Sequence, residues 1–112
     1  MPKSYKILGQ SLPSPNTFTD LYTVPAGNSA VISTLNVCNT SLSNVTFRIA
    51  ARPANATLAT SQYIVYDAAL PAQDAIGLTL GMTLAATDKL TVFSFQGNVA
   101  FSLFGTEIYY CL

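Results

Sequence analysis

The stretch VPAGNSAVISTLNVCN, Val24 to Asn39, decides how the rest of the chain is read. Pro25 holds φ near about −65°, and Ala26-Gly27-Asn28 supplies corner residues that let the backbone reverse tightly. From Ser29 onward the side chains are β-branched or small, without helical spacing, so the chain leaves the turn as an extended strand. Alternation puts Val31, Leu35 and Val37 on one face, with Ser33 as a gap, and Ile32, Thr34 and Cys38 on the other. Asn39 then opens the next turn. A nucleophile reading of Cys38 needs an activating base or a positive neighbour, and this segment has neither. The stretch reads as a turn feeding a packed strand.

The same alternation runs along the chain. In VTFRIAARP, Val45, Phe47, Ile49 and Ala51 form an inner face, while Thr46, Arg48, Ala50 and Arg52 point outward. In AIGLTLGMTL, Ile76, Leu78, Leu80, Met82 and Leu84 alternate with Gly77, Thr79, Gly81 and Thr83, and Gly81 marks a bend or the strand's end. Val99, Phe101 and Leu103 alternate with Ala100, Ser102 and Phe104. Two strands are apolar on both faces. In QYIVYDAAL, Ile64, Tyr66 and Ala68 oppose Tyr63 and Val65; in KLTVFSFQ, Leu90 and Val92 oppose Phe93 and Phe95. Such strands require cover on both sides, in the core and at an interface or under a loop.

Turn formers separate these runs: PAGN at 25–28, NTSLSN at 39–44, RPANATLATS at 52–61, LPAQDA at 70–75, AATDK at 85–89 and QGN at 96–98. QGN predicts a tight hairpin with Gly97 or Asn98 at positive φ. The longest, 52–61, predicts a crossing between sheets, and NATLATSQ allows one short helical turn. Helical period is nowhere sustained. About seven or eight strands at this spacing predict an all-β fold: an antiparallel β-sandwich, jelly-roll or immunoglobulin-like, spanning residues 18–112. Residues 1–17 read as an N-terminal arm and a candidate inter-subunit contact, with YKILG as an edge strand and SLPSPNT irregular.

Composition bounds the function. A chain of 112 residues is one domain, able to bury roughly 65% of its extended surface. Only 9% of the residues are charged, against a usual figure of about 25%, and 50% are hydrophobic. Five basic and five acidic residues cancel, so little charge keeps copies apart and part of the apolar surface is expected to meet protein. The unclustered lysines and arginines argue against nucleic-acid binding. No window has the length of a signal peptide or membrane span, so membrane insertion is not expected. Cys38 and Cys111 are too few for a disulfide scaffold and predict two reduced, buried thiols. Sequons at Asn39, Asn44 and Asn55 are what so much Asn, Ser and Thr yields by chance.

Histidine is absent, which removes the commonest general base and nitrogen ligand. The acids Asp20, Asp67, Asp74, Asp88 and Glu107 are dispersed, whereas a glycosidase pair needs two about 5–10 Å apart in a groove. Asp74 and Asp88 sit in turns, where aspartate caps its own backbone. Neither EF-hand spacing nor a glycine-rich phosphate loop occurs. The expectation is a protein that is not an enzyme, with no catalytic residue, cofactor or metal site. Candidate interface residues remain: Tyr5 and Ile7 in the arm, Arg48 and Arg52, Tyr63 and Val65, Phe93 and Phe95, and Tyr109 and Tyr110 in the terminal IYYC. The two arginines share an outer face about 13 Å apart, placed to pair with Asp67, Glu107 or acids of a partner. Tyr22 reads as packed. Tyr63 and Tyr66 fall on opposite faces by alternation, which argues against a single sugar-stacking platform.

The series LYTVPAGNSAVISTLNVCNTS, VTFRIAARP, QYIVYDAAL and LTLGMTLAATDKLTVFS resembles small virion structural proteins of tailed bacteriophages, notably phages of cyanobacteria. Related stretches occur as modules in phage tail and fibre proteins. The resemblance covers roughly residues 20–108, and its most specific part is the Tyr-Thr-Val-Pro-Ala-Gly turn leading to Val-Cys-Asn. It implies a non-enzymatic, many-copied virion component: a tail, neck or baseplate adaptor or attachment subunit assembled as a homo-oligomer, such as a trimer, with other virion proteins. No catalytic residue carries over. A capsid decoration (cement) protein and a host-surface glycan-binding domain are the alternatives, and a small carboxylate hydrolase comes last.

Overall fold

The computed structural model describes residues 3–54 and 56–109. Eight strands follow in order: β1 (Lys3–Ser11), β2 (Thr19–Thr23), β3 (Asn28–Asn39), β4 (Val45–Arg52), β5 (Tyr63–Leu70), β6 (Ala75–Leu84), β7 (Lys89–Phe93) and β8 (Val99–Tyr109). One short 3-10 turn, Thr60–Gln62, precedes β5 where a helical turn was expected. The strands form two four-stranded sheets, ordered β1-β8-β3-β6 and β2-β7-β4-β5, with every pairing antiparallel. The fold is all-β, two antiparallel sheets resembling a β-sandwich. The strand expected at YKILG is part of β1, whose outer edge is a sheet margin.

The inner faces supply the core. Ile32, Leu35 and Val37 of β3 and Val99, Phe101 and Leu103 of β8 lie over Val45, Phe47 and Ile49 of β4 and Leu90 and Val92 of β7, all buried. Phe47 meets Phe101 edge-to-face, centroids 6.3 Å apart, across the gap between the sheets. One polar bridge also crosses it. Tyr22, packed as expected, donates its hydroxyl to buried Glu107 at 2.5 Å, and Lys6 of β1 meets the other carboxylate oxygen at 2.7 Å.

Several expectations need correction. Ile32, not Val31, enters the core beside Leu35 and Val37, because both ladders of β3 slip by one residue between Ile32 and Thr34. That bulge leaves Val31 38% exposed on the outer face. Of the two readings of Gly81 the bend holds and the strand end does not: at φ 60° it forms the matching bulge inside β6, which runs on to Leu84. The 52–61 loop joins adjacent strands of one sheet instead of crossing between sheets, and Arg52 folds it back by donating to the Ala56 carbonyl at 3.1 and 2.9 Å. QGN has positive φ at both Gly97 (72°) and Asn98 (57°), yet it carries the chain from β7 to β8 in the other sheet and makes no hairpin.

Polar side chains tie the loops together at each end. Asp88 accepts from the Ala85 amide of its own turn at 2.9 Å and from Ala54 of the β4–β5 loop at 2.8 Å. At the other end Asn39, 1% exposed, donates to the carbonyls of Ser43, Leu70 and Pro71 at 2.8–3.2 Å and accepts from Ser41. Its sequon is therefore a packed hub. Cys38 next to it is half-buried, so the expected buried thiol is corrected to a partly exposed one on the outward side of β3. Cys111 and Asn55 lie outside the described residues.

Replacing Asn39 by alanine removes the donor to the buried Leu70 carbonyl and to the part-buried carbonyls of Ser43 and Pro71. Asn39→Ala is expected to lower unfolding free energy by about 2–4 kcal/mol in urea titrations, with an unchanged m-value. Asn44→Ala, whose side chain accepts one exposed amide bond from Ala72, is expected to lose under about 1 kcal/mol.

Candidate functional site

Arg48 stands on the outward side of β4, opposite Phe93 of β7 and flanked by β5. Two irregularities in β5 build its surroundings. Phe47 pairs with Ala68 and Ile49 with Val65, so both Tyr66 and Asp67 fall against the single residue Arg48, with Asp67 at φ 53°. A second slip follows, since Ala50 pairs with Tyr63. Val65 and Ala68 consequently both pack towards the core, so Val65 is not an outward residue. Tyr63 and Tyr66 share the outer face with rings touching at 4.9 Å, against the expectation of opposite faces. Strict alternation failed there because a bulge reverses the face of everything beyond it.

The guanidinium makes a two-pronged ion pair with Asp67, Nε to Oδ1 at 2.6 Å and Nη2 to Oδ2 at 3.0 Å. Around it stand four rings, with centroids 4.3 Å (Tyr66), 4.9 Å (Phe95), 5.1 Å (Phe93) and 5.8 Å (Tyr63) from the guanidinium carbon. All lie within cation–π range. Phe18 stacks on Phe93 at 4.3 Å and Phe95 meets it edge-on at 4.8 Å, so Phe93 is buried although its strand position faces out. Tyr66, Phe95 and Phe18 remain 58%, 46% and 45% exposed. The hydrogen bond to Asp67 chiefly holds Arg48 above its ordinary pKa, against desolvation, with Tyr63 and the Asp67 charge adding to the rise. The same bond lowers the Asp67 carboxyl. The site thus presents exposed aromatic rings around an internally neutralised charge pair.

Arg52 lies on the same face but belongs to a separate network. It pairs with Asp20 of β2 at 3.3 Å, and Lys89 (3.5 Å) and the Thr91 hydroxyl (2.9 Å) reach the same carboxylate. Neither Asp67 nor Glu107 is its partner, because Glu107 faces inward to Tyr22 and Lys6. Tyr5 and Ile7 are on the outer face of the opposite sheet, paired with Thr106 and Phe104. With Lys6, Ser33 and Gly105 they line an open depression of about 520 Å³. The Tyr109 backbone pairs with Asn28, while its side chain and Tyr110 lie outside the described residues.

The structure therefore unites Arg48, Tyr63, Phe93 and Phe95 and separates them from Arg52, Tyr5, Ile7 and Val65. Sequence reasoning missed Tyr66, Asp20 and Phe18. An aspartate within the otherwise apolar β5 was the one visible sign of the bulge that brings Tyr66 round. Among the described residues no group of three His, Cys, Asp or Glu side chains stands ready for a metal ion, and no helix is long and apolar enough to cross a membrane. No protein-family model, curated protein or solved structure matches the chain.

Because the folded-state pKa of Asp67 is lowered, the pair's stabilisation is present above the ordinary carboxylate range and is lost as pH falls through the lowered value. Asp67→Asn lacks this contribution. Its deficit in Tm relative to the wild type is expected to shrink as pH drops from about 6 to about 2, followed by thermal circular dichroism. A deficit that is constant with pH would refute the ionic origin.

Proposed function

We propose that this protein is a non-enzymatic structural subunit of a bacteriophage virion, an adaptor or attachment component of the tail, neck or baseplate that works as an oligomer within a jelly-roll framework. The framework is supported by nested antiparallel pairs: β4 with β5, β3 with β6, β2 with β7 and β1 with β8. Winding such nested pairs into two sheets gives the strand order found here, and viral capsid domains and lectins use that architecture. Function has to be argued from surfaces.

The observation that carries the reading is the caged Arg48. Arginine and aromatic rings are the side chains that dominate the energetic centres of protein interfaces. Here they are clustered in mutual contact on the outer face of a chain with few charges elsewhere. The Arg48–Asp67 pair has neutralised itself, so docking a partner over the rings buries no unpaired charge. The sequence resemblance to phage structural proteins supports the same assignment.

Cryo-electron microscopy of particles assembled with the tagged protein is expected to find its density at the tail, neck or baseplate. Absence from particles overturns the proposal, and density spread over capsid faces favours decoration instead. Tyr66→Ala and Phe95→Ala are each expected to reduce particle incorporation at least about tenfold while the isolated protein stays folded. A second reading, binding of host-surface glycan, is favoured by the exposed rings of Tyr66 and Phe95 beside an acidic side chain. A glycan array settles it: no hits, or hits that survive Tyr66→Ala, remove that reading.

A further inference from the structure

The core is covered unequally along the two long sides of the molecule. On the side formed by β5 and β6, Ile76 is 40% exposed and Leu78, Met82, Val65 and Ala68 are only half-buried. Their cross-strand partners Val37, Leu35, Ile32, Ile49 and Phe47 are buried. Inward-facing apolar side chains therefore reach water at this margin.

The strand at that margin also differs from the other edges. An edge strand presents unpaired amides and carbonyls, and soluble proteins protect such edges with charge, bulges or short length. β1 carries Lys3 and Lys6, β2 has five residues including Asp20, and β5 carries Asp67 and two slips of register. β6, AIGLTLGMTL, has ten residues without a charge. Its bulge lies beyond Thr79, so Ala75–Thr79 runs regularly against β3, and among the described residues no strand pairs with its other backbone edge. The outward residues there, Ala75, Gly77 and Thr79 with Thr34, Asn36 and Cys38 of β3, are all neutral.

We propose that β6 pairs antiparallel with β6 of a second copy across a two-fold axis, joining two four-stranded sheets into one continuous sheet. This inference rests on the oligomeric subunit proposed above and names its assembly contact. The open backbone row is a template that another strand can pair with, and the absence of charge favours a neutral one. Two-fold pairing satisfies both faces with one strand: the Ile76 and Leu78 row continues into its own copy on the core side, and Gly77 and Thr79 meet their counterparts outside. The half-covered residues at this margin gain cover from the same contact.

Sedimentation velocity over a concentration series tests this. The wild type is expected to reach the mass of a dimer. Thr79→Lys, whose side chain points away from the core, is expected to weaken association about 100-fold or more by setting like charges across the axis. Its Tm checks folding, and Tyr66→Ala should remain dimeric. In a second measurement, hydrogen exchange of the Ala75–Thr79 amides should slow with rising wild-type concentration, while the β1 and β2 edges do not change. This keeps the test decisive if Thr79→Lys misfolds. A monomer at every concentration, a trimer mass, or association indifferent to Thr79→Lys overturns the edge pairing. Particle localisation is read separately, so an oligomer dissolved by Tyr66→Ala but not by Thr79→Lys would defeat this contact and leave the virion role standing.

Discussion

One extra residue in a strand sends every side chain beyond it to the opposite face, and this protein is organised by where those extra residues fall. In the β1-β8-β3-β6 sheet, β1 slips between Ile7 and Gly9 and β3 between Ile32 and Thr34, in line across β8. Gly105 lies at that line. A methyl group there would run into the Val31 carbonyl and come within 3.2 Å of Leu8 Cδ1 and Ile32 Cα. The strands can bend together only because this residue has no side chain. The bend puts Ile32 into the core and turns Val31 outward, towards the face that carries Tyr5 and Ile7. In the other sheet, the bulge at Asp67 brings Tyr66 and Asp67 together against Arg48. Unbulged strands would bury a different set of residues and leave Arg48 without its cage.

This also accounts for what the sequence made legible. Alternation read correctly wherever a strand was regular on its core side, as in Val99, Phe101 and Leu103 of β8 or Val45, Phe47 and Ile49 of β4. It failed in β3 and β5, where no residue type announces a bulge as plainly as glycine does in β6. The Arg48–Asp67 pair was among the partners that sequence allowed. Asp20 as the partner of Arg52 was not foreseen, because it depends on β7 lying between β2 and β4. Connections were the least legible feature. QGN has the residues of a hairpin turn, and only the position of β8 in the opposite sheet makes it a crossing. Phe18 belongs to a proline-rich segment without period, so its stacking on Phe93 left no pattern to read.

The few charges are placed where they hold the scaffold. Glu107 of β8 reaches Tyr22 in the other sheet and Lys6 in its own, Asp88 ties two loops at one end, and Asp20 gathers Arg52, Lys89 and Thr91 on one face. Each acid faces a cation or a backbone amide, so its charge is largely spent within the molecule. The outer surfaces are left with rings, threonines and amides. Such a surface has little long-range field to steer an encounter, so recognition depends on shape and desolvation at short range.

That distribution bears on the kind of work the molecule suits. A ligand-binding or catalytic protein concentrates its unusual chemistry in one concave site. Here the distinctive features lie apart: a caged arginine on one sheet, a shallow apolar depression on the other, and an uncharged edge between them along β6. A single small ligand cannot use all three. The multi-partner subunit proposed above could use each surface for a different neighbour, and sparse charge would cost such an assembly little.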